Sequence, residues 1–76
     1  MPIRWQDYIK ERKGVMLGKP TLKGTRLTVD HLLSEIATGM GERELLDNYP
    51  TLRSEQIRAA LQYAAAVVVA GQALHA

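Results

Sequence analysis

The strongest hydrophobic period in the chain begins at residue 29. Val29, Leu32, Leu33, Ile36 and Met40 fall at i, i+3, i+4, i+7 and i+11, the spacing that lines one face of a helix. Thr28 stands where an N-cap belongs, Asp30 lies in the first turn, where the helix dipole favours an anion, and Gly39 sits where a left-handed residue ends a helix. A second, shorter helix is expected over about residues 42–48. Glu42 and Glu44 suit its positive end, Leu45 and Leu46 face inward, and Pro50 forbids continuation. Tyr49, just before that proline, is expected to be extended and packed.

A third helix is expected over residues 54–70. Ile57, Leu61, Ala64 and Val68 form its inner stripe, while Tyr63, Val67, Ala70 and Leu74 form a second apolar line. A lone three-helix unit needs only one such line, so the second is the expected dimer or partner interface. Val67-Val68-Val69 lowers helix propensity and Gly71 is a candidate stop, after which the tail 72–76 is open between continued helix, extended chain and fraying.

Residues 1–27 show no helical period. Tyr8 and Ile9 suit a short strand, Gly14 interrupts, and Val15-Met16-Leu17 is a brief apolar run. Thr21-Leu22 and Arg26-Leu27-Thr28-Val29 again have strand character, with turns at Gly18-Lys19-Pro20 and Lys23-Gly24-Thr25. The predicted fold is mainly α: a short N-terminal β-hairpin or arm (1–27), then a three-helix, helix-turn-helix-like bundle (28–71), in one domain.

Seventy-six residues support one marginal core. With no cysteine, disulfides and thiolate metal sites are out of reach and a reducing cytoplasm is expected. The cheapest remaining staple is another chain, so a homodimer or hetero-complex is expected. The core must be aliphatic, since Phe is absent and Trp5 is the single tryptophan. The first ten residues contain no apolar run of the signal-peptide kind. After Arg58 no formal charge remains, but Gln62, Gly71, Gln72 and His75 interrupt that stretch. It therefore reads as a buried or dimerising helix rather than a membrane span.

The net charge of +2 hides a split. Residues 1–26 carry Arg4, Lys10, Arg12, Lys13, Lys19, Lys23 and Arg26 against Asp7 and Glu11, a balance of +5. Residues 27–76 carry three arginines against six carboxylates, a balance of −3. Such asymmetry suits either a nucleic-acid surface at the basic end or mutual neutralisation within the fold.

Catalysis finds little support. His31 and His75 are the only histidines, His31 reads as an ordinary first-turn residue, and no inward carboxylate pair accompanies them. Residues 18–24 lack the strand–GxxxxGK[ST]–helix order of a phosphate loop. No enzyme activity, metal or cofactor is expected. The binding candidates for DNA are Arg12, Lys13, Lys19 and Lys23 on the arm and Arg53, Gln56 and Arg58 on the third helix. Phosphate contact needs only charge and reach, whereas Arg and Gln can read guanine and adenine edges. Gly24, Arg26, Gly39 and Pro50 are assigned structural roles, Arg26 as a bridge to Glu35 or Asp47, with a phosphate contact as the other reading.

From Gly18 to Ala66 an ordered set of short motifs runs through Gly18-Lys19-Pro20, Gly24-Thr25-Arg26, Val29, the pair Ala37 and Gly39, the Y-P-x-L of Tyr49 and Leu52, and the I-R-x-A-L-x-Y-A beginning at Ile57. In these motifs the chain resembles the family called domain of unknown function 433. It implies a homeodomain-like helix-turn-helix and an antitoxin-like protein. The implied partner is a toxin with a PIN-like ribonuclease fold, with possible binding to its own promoter. Two positions depart from the pattern. Arg53 replaces a threonine that would cap the third helix, so that either Ser54 caps instead or the cap is lost, and Gly41 replaces a serine or threonine before the second. A stand-alone DNA-binding regulator and a structural protein-interaction domain are the competing readings.

Overall fold

Main-chain pairing of the arm sets the frame on which the helices are laid. A computed structural model describes residues 3–11 and 19–75, the side chains of 72–75 excepted. A single 3-10 turn, Trp5–Asp7, leads into β1 (Ile9–Lys10), which pairs antiparallel with β2 (Thr21–Leu22) in the register Ile9–Leu22 and Lys10–Thr21. Thr21 also bridges to Thr28, and the Leu22 N–H donates to the Leu27 carbonyl at 3.0 Å. The turn between them needs a residue at positive φ, and Gly24 supplies it at φ 78°. The Thr25 hydroxyl then closes the turn, donating to the Leu22 carbonyl (2.8 Å) and accepting from the Leu27 N–H (3.0 Å). The hairpin is present as expected, but Arg26-Leu27 is the returning limb of this tight turn rather than a strand.

Three helices follow among the described residues: α1 (Val29–Ala37), α2 (Glu42–Asn48) and α3 (Ser54–His75). Thr28 caps α1 by accepting from the His31 N–H at 3.4 Å. Its other end closes in a Schellman arrangement around Gly39 at φ 98°, with the Gly39 N–H on Ile36 and the Met40 N–H on Glu35. Gly41 precedes α2 without any side-chain cap. Tyr49 ends α2 at φ −125° and ψ 85°, and the Leu52 N–H donates to its carbonyl at 2.8 Å, forming a turn around Pro50.

Every element contributes to one aliphatic core: Ile9, Leu22 and Leu27 from the arm, Val29 and Leu32 from α1, Leu45 from α2, Leu52 from the turn, and Ile57, Ala59 and Ala60 from α3. Trp5 closes one side, its ring edge-on to Tyr63 with centroids 4.9 Å apart and planes at 79°.

Two expectations for α3 need correction. Leu61 and Val68 do not point inward; they are 48% and 58% exposed. The buried face instead runs through Gln56, Ile57, Ala59 and Ala60 toward half-buried Tyr63 and Ala64. The second correction concerns length. The helix passes through Gly71 to His75, so the glycine does not stop it.

Candidate functional site

Two surfaces stand out, and the first is a seam between the arm and the start of α3. Gln56 forms it. Expected on the outside reading bases, it is only 3% exposed. Its Oε1 accepts from the Arg53 N–H at 3.0 Å and its Nε2 donates to the Lys23 carbonyl at 2.7 Å. A side-chain amide lying three residues after the cap satisfies an otherwise free N–H, which is half of a capping box. Its other half is missing because Arg53 has no hydroxyl. Ser54 does not cap in its place: its hydroxyl donates to Glu42 Oε2 at 3.3 Å and ties α3 to α2. Glutamine three residues after a helix cap was the legible sign of this role, and hydrophobic period alone hides it.

The seam draws cations together. Lys23, Arg26 and Arg53 are all exposed beside the turn that joins α2 to α3. Arg26 does not bridge to Glu35 or Asp47, and among the described residues no carboxylate lies within ion-pair distance of it. It lines a groove of about 270 Å³ between residues 25–27 and residues 48–51. Arg53 reaches Glu55 only at 4.0 Å. Lys19, by contrast, is engaged with Asp30 at 3.4 Å. The Asp30 carboxyl is held below its ordinary value, chiefly by the Thr28 hydroxyl; desolvation opposes this, and Lys19 adds to the lowering. Arg58 is exposed on α3. Arg12 and Lys13 lie outside the described residues.

Glu35 is occupied elsewhere. It accepts from the Tyr49 hydroxyl and pairs with His31 Nε2 at 2.9 Å, while Tyr49 Oη lies 3.3 Å from the same histidine nitrogen. His31 is therefore part of a lock between α1 and the α2–α3 turn. The Tyr49 hydroxyl has its pKa raised, chiefly by donating to Glu35 and then by burial.

The second surface is the far end of α3. At about 100° per residue, Val67 and Ala70 continue the line of Gln56, Ala60 and Tyr63. Beyond Ala64 that line has left the domain body. Val67, Val68 and Val69 are 51%, 58% and 64% exposed, and residues 65–70 are all exposed. An apolar groove of about 430 Å³ runs alongside, between Val29 and Leu33 of α1 and Tyr63, Ala64, Val67 and Val68 of α3. Lys19, Pro20 and Asp30 close its rim. Of the predicted interface line, Tyr63 is half-buried under Trp5, Val67 and Ala70 are free, and the Leu74 side chain lies outside the described residues. No helix among the described residues is long and apolar enough to cross a membrane. Among the same residues no cluster of three or more metal-ligating side chains occurs.

The model for the family described as protein of unknown function (DUF433) matches residues 9–64. The chain belongs to the DUF433 family. A DUF433 member protein from Anabaena variabilis ATCC 29413, known from its crystal structure, superposes with a TM-score of 0.72 at 36% sequence identity. The likeness covers 76% of this chain and 57% of that one, so this chain spans little more than half of that protein's length. No curated protein matches the chain. In DUF433 terms, the seam lies inside the matched segment: Thr25-Arg26 faces Tyr49-Pro50 across the smaller groove, and Gln56 joins Lys23 to Arg53. The exposed stretch of α3, residues 65–70, lies beyond it.

Proposed function

We propose that the chain is an antitoxin-like binding protein of a type II toxin–antitoxin pair. On this reading it acts as a homodimer, neutralises a PIN-like ribonuclease through α3, and regulates its own promoter by binding DNA. It is not an enzyme and needs no cofactor. The observation that carries the reading is the uncharged, exposed end of α3, where three successive valines stand more than half in water.

Magnitudes say what such an interface must contain. Covering the exposed parts of Val67, Val68 and Val69 is worth about 2–4 kcal/mol, and association alone costs about 4–15 kcal/mol. The valines cannot hold a partner by themselves. The contact has to extend into the neighbouring groove over Val29, Leu33 and Tyr63. Antitoxin function itself rests on the family resemblance.

A stand-alone DNA-binding regulator is the second reading, favoured by the order α2, turn, α3. Burial of Gln56 weakens it by removing one of three base-reading candidates from the helix surface.

The test is co-expression with the product of the neighbouring reading frame. That product alone should arrest growth and cleave RNA, the wild-type chain should relieve both effects, and Val67→Asp should relieve neither while keeping its helix content. Val67→Asp should also lower the mass seen by light scattering. Failure of the wild type to relieve a toxic neighbour, or full relief by Val67→Asp, overturns the reading.

A further inference from the structure

The groove carrying Arg26 has no part in the protein contact proposed for α3. Its construction is specific. Gly24 at φ 78° and the doubly bonded Thr25 hydroxyl hold the turn that bears Lys23 and Arg26. Buried Gln56 then pins the Lys23 carbonyl at 2.7 Å and the Arg53 amide at 3.0 Å with the two ends of one amide group. The main chains of Lys23 and Arg53 are thereby fixed within a few ångströms of a single side chain, with Arg26 on the same turn.

The charge around this turn is poorly neutralised from within. Among the described residues no acidic side chain lines the groove, whose polar lining beside Arg26 comes from Thr25, Asn48, Tyr49 and Thr51. Of the surrounding carboxylates, Glu55 faces Arg53 at 4.0 Å, Glu42 accepts from Ser54, Glu35 accepts from the hydroxyl of the lining residue Tyr49 and pairs with His31, and Asp47, next to Asn48, is exposed and outside the lining. A guanidinium with no ion-pair partner among the described residues, set beside amide and hydroxyl groups, is the chemistry that takes a phosphate. Lys23 and Arg53, exposed and tied through their main chains to Gln56, are further cations of the seam.

We propose that this groove is a phosphate site for duplex DNA, with Arg26 as its central ligand and Lys23 and Arg53 engaging flanking backbone phosphates. The proposal rests on the DNA-binding part of the reading above and relocates the contact. The seam holds the backbone, while Gln56 and the ion-paired Lys19 take no part. Such contacts position a protein on the duplex without reading sequence.

Fluorescence anisotropy of the full chain with two labelled duplexes tests this, one from upstream of its own reading frame and one of scrambled sequence, each over a salt series. Arg26→Ala should weaken binding to both duplexes equally, by roughly threefold to tenfold, and reduce the slope of log affinity against log salt by about one. Arg26→Lys should recover part of the loss. Arg26 is exposed, so circular dichroism and the melting temperature should not move. The proposal is overturned if Arg26→Ala binds like wild type, if wild type binds neither duplex at low salt, or if polyglutamate displaces the duplex at equal charge. The last result would assign the groove to an acidic protein. Relief of toxin by the wild type is read separately, so failure here leaves the protein-partner reading standing, and the converse holds.

Discussion

The Gln56 side chain donates to the Lys23 carbonyl at 2.7 Å across 33 residues of sequence, and this one bond couples the β-arm to the first turn of α3. Because its other end satisfies the Arg53 N–H, Gln56→Leu removes partners from two backbone groups at once. A loss of about 1–3 kcal/mol is expected, which for a domain of this size lowers the melting temperature by roughly 4–8 °C per kcal/mol. Gln56→Glu should be worse at neutral pH, where a carboxylate faces the Lys23 carbonyl. It should recover relative to wild type in acid, where a protonated carboxyl can donate again. Urea titrations at both pH values provide the check, and equal stability of Gln56→Leu and wild type would remove Gln56 as the link.

Two glycines should respond to the same change with opposite signs. Among the described residues, and apart from chain neighbours and the helix's own backbone, no atom lies within 4 Å of where a Cβ would stand on Gly24 or Gly71, so space does not decide. Conformation does. Gly24→Ala forces a side chain into φ 78° and should cost about 1–2 kcal/mol. Gly71→Ala lies within α3 and should raise helix stability by about 0.5–1 kcal/mol. Thermal melts followed by circular dichroism distinguish the two.

The Tyr49–Glu35 contact predicts an alkaline transition. In the fold the Tyr49 hydroxyl has its pKa raised above the ordinary value of 10.0, first by its hydrogen bond to Glu35. Its contribution is therefore fully present below that value and is lost as the pH rises through the folded pKa. Tyr63 shifts the same way, chiefly through burial. Spectroscopic titration should show native tyrosines ionising later than those of the unfolded chain. Tyr49→Phe should melt lower at neutral pH and lose less stability than wild type between neutral pH and the alkaline range. Identical pH dependence in the two proteins would count against the bond.

Features of α1 were legible because their causes are local. The cap at Thr28 and the left-handed residue at Gly39 each depend on neighbours within one helical turn. The apolar stripe of α1 buries Val29 and Leu32 as expected, with Leu33, Ile36 and Met40 partly buried against the core. α3 was harder because apolar identity was the only guide to its inner face. Leu61 looked buried and is not, while Gln56 looked exposed and is buried by its hydrogen bonds. The candidate site divided in the same way. Lys23, Arg53 and Arg58 stand exposed, Lys19 is paired, and Arg26, expected as an internal bridge, is turned outward.

Composition and spacing alone determined the mainly α architecture, the arm that precedes it, the caps and turn glycines, and an α3 apolar over more surface than one core needs. These are properties of short windows, where propensity and period act directly. Tertiary structure decided which residues meet: Gln56 with Lys23, Tyr49 with Glu35, and Arg26 with the turn after α2. It also decided that the apolar line of α3 outruns its core. Such pairings join segments distant in the chain, and their partners are selected by the geometry of the packed elements, which no local pattern encodes.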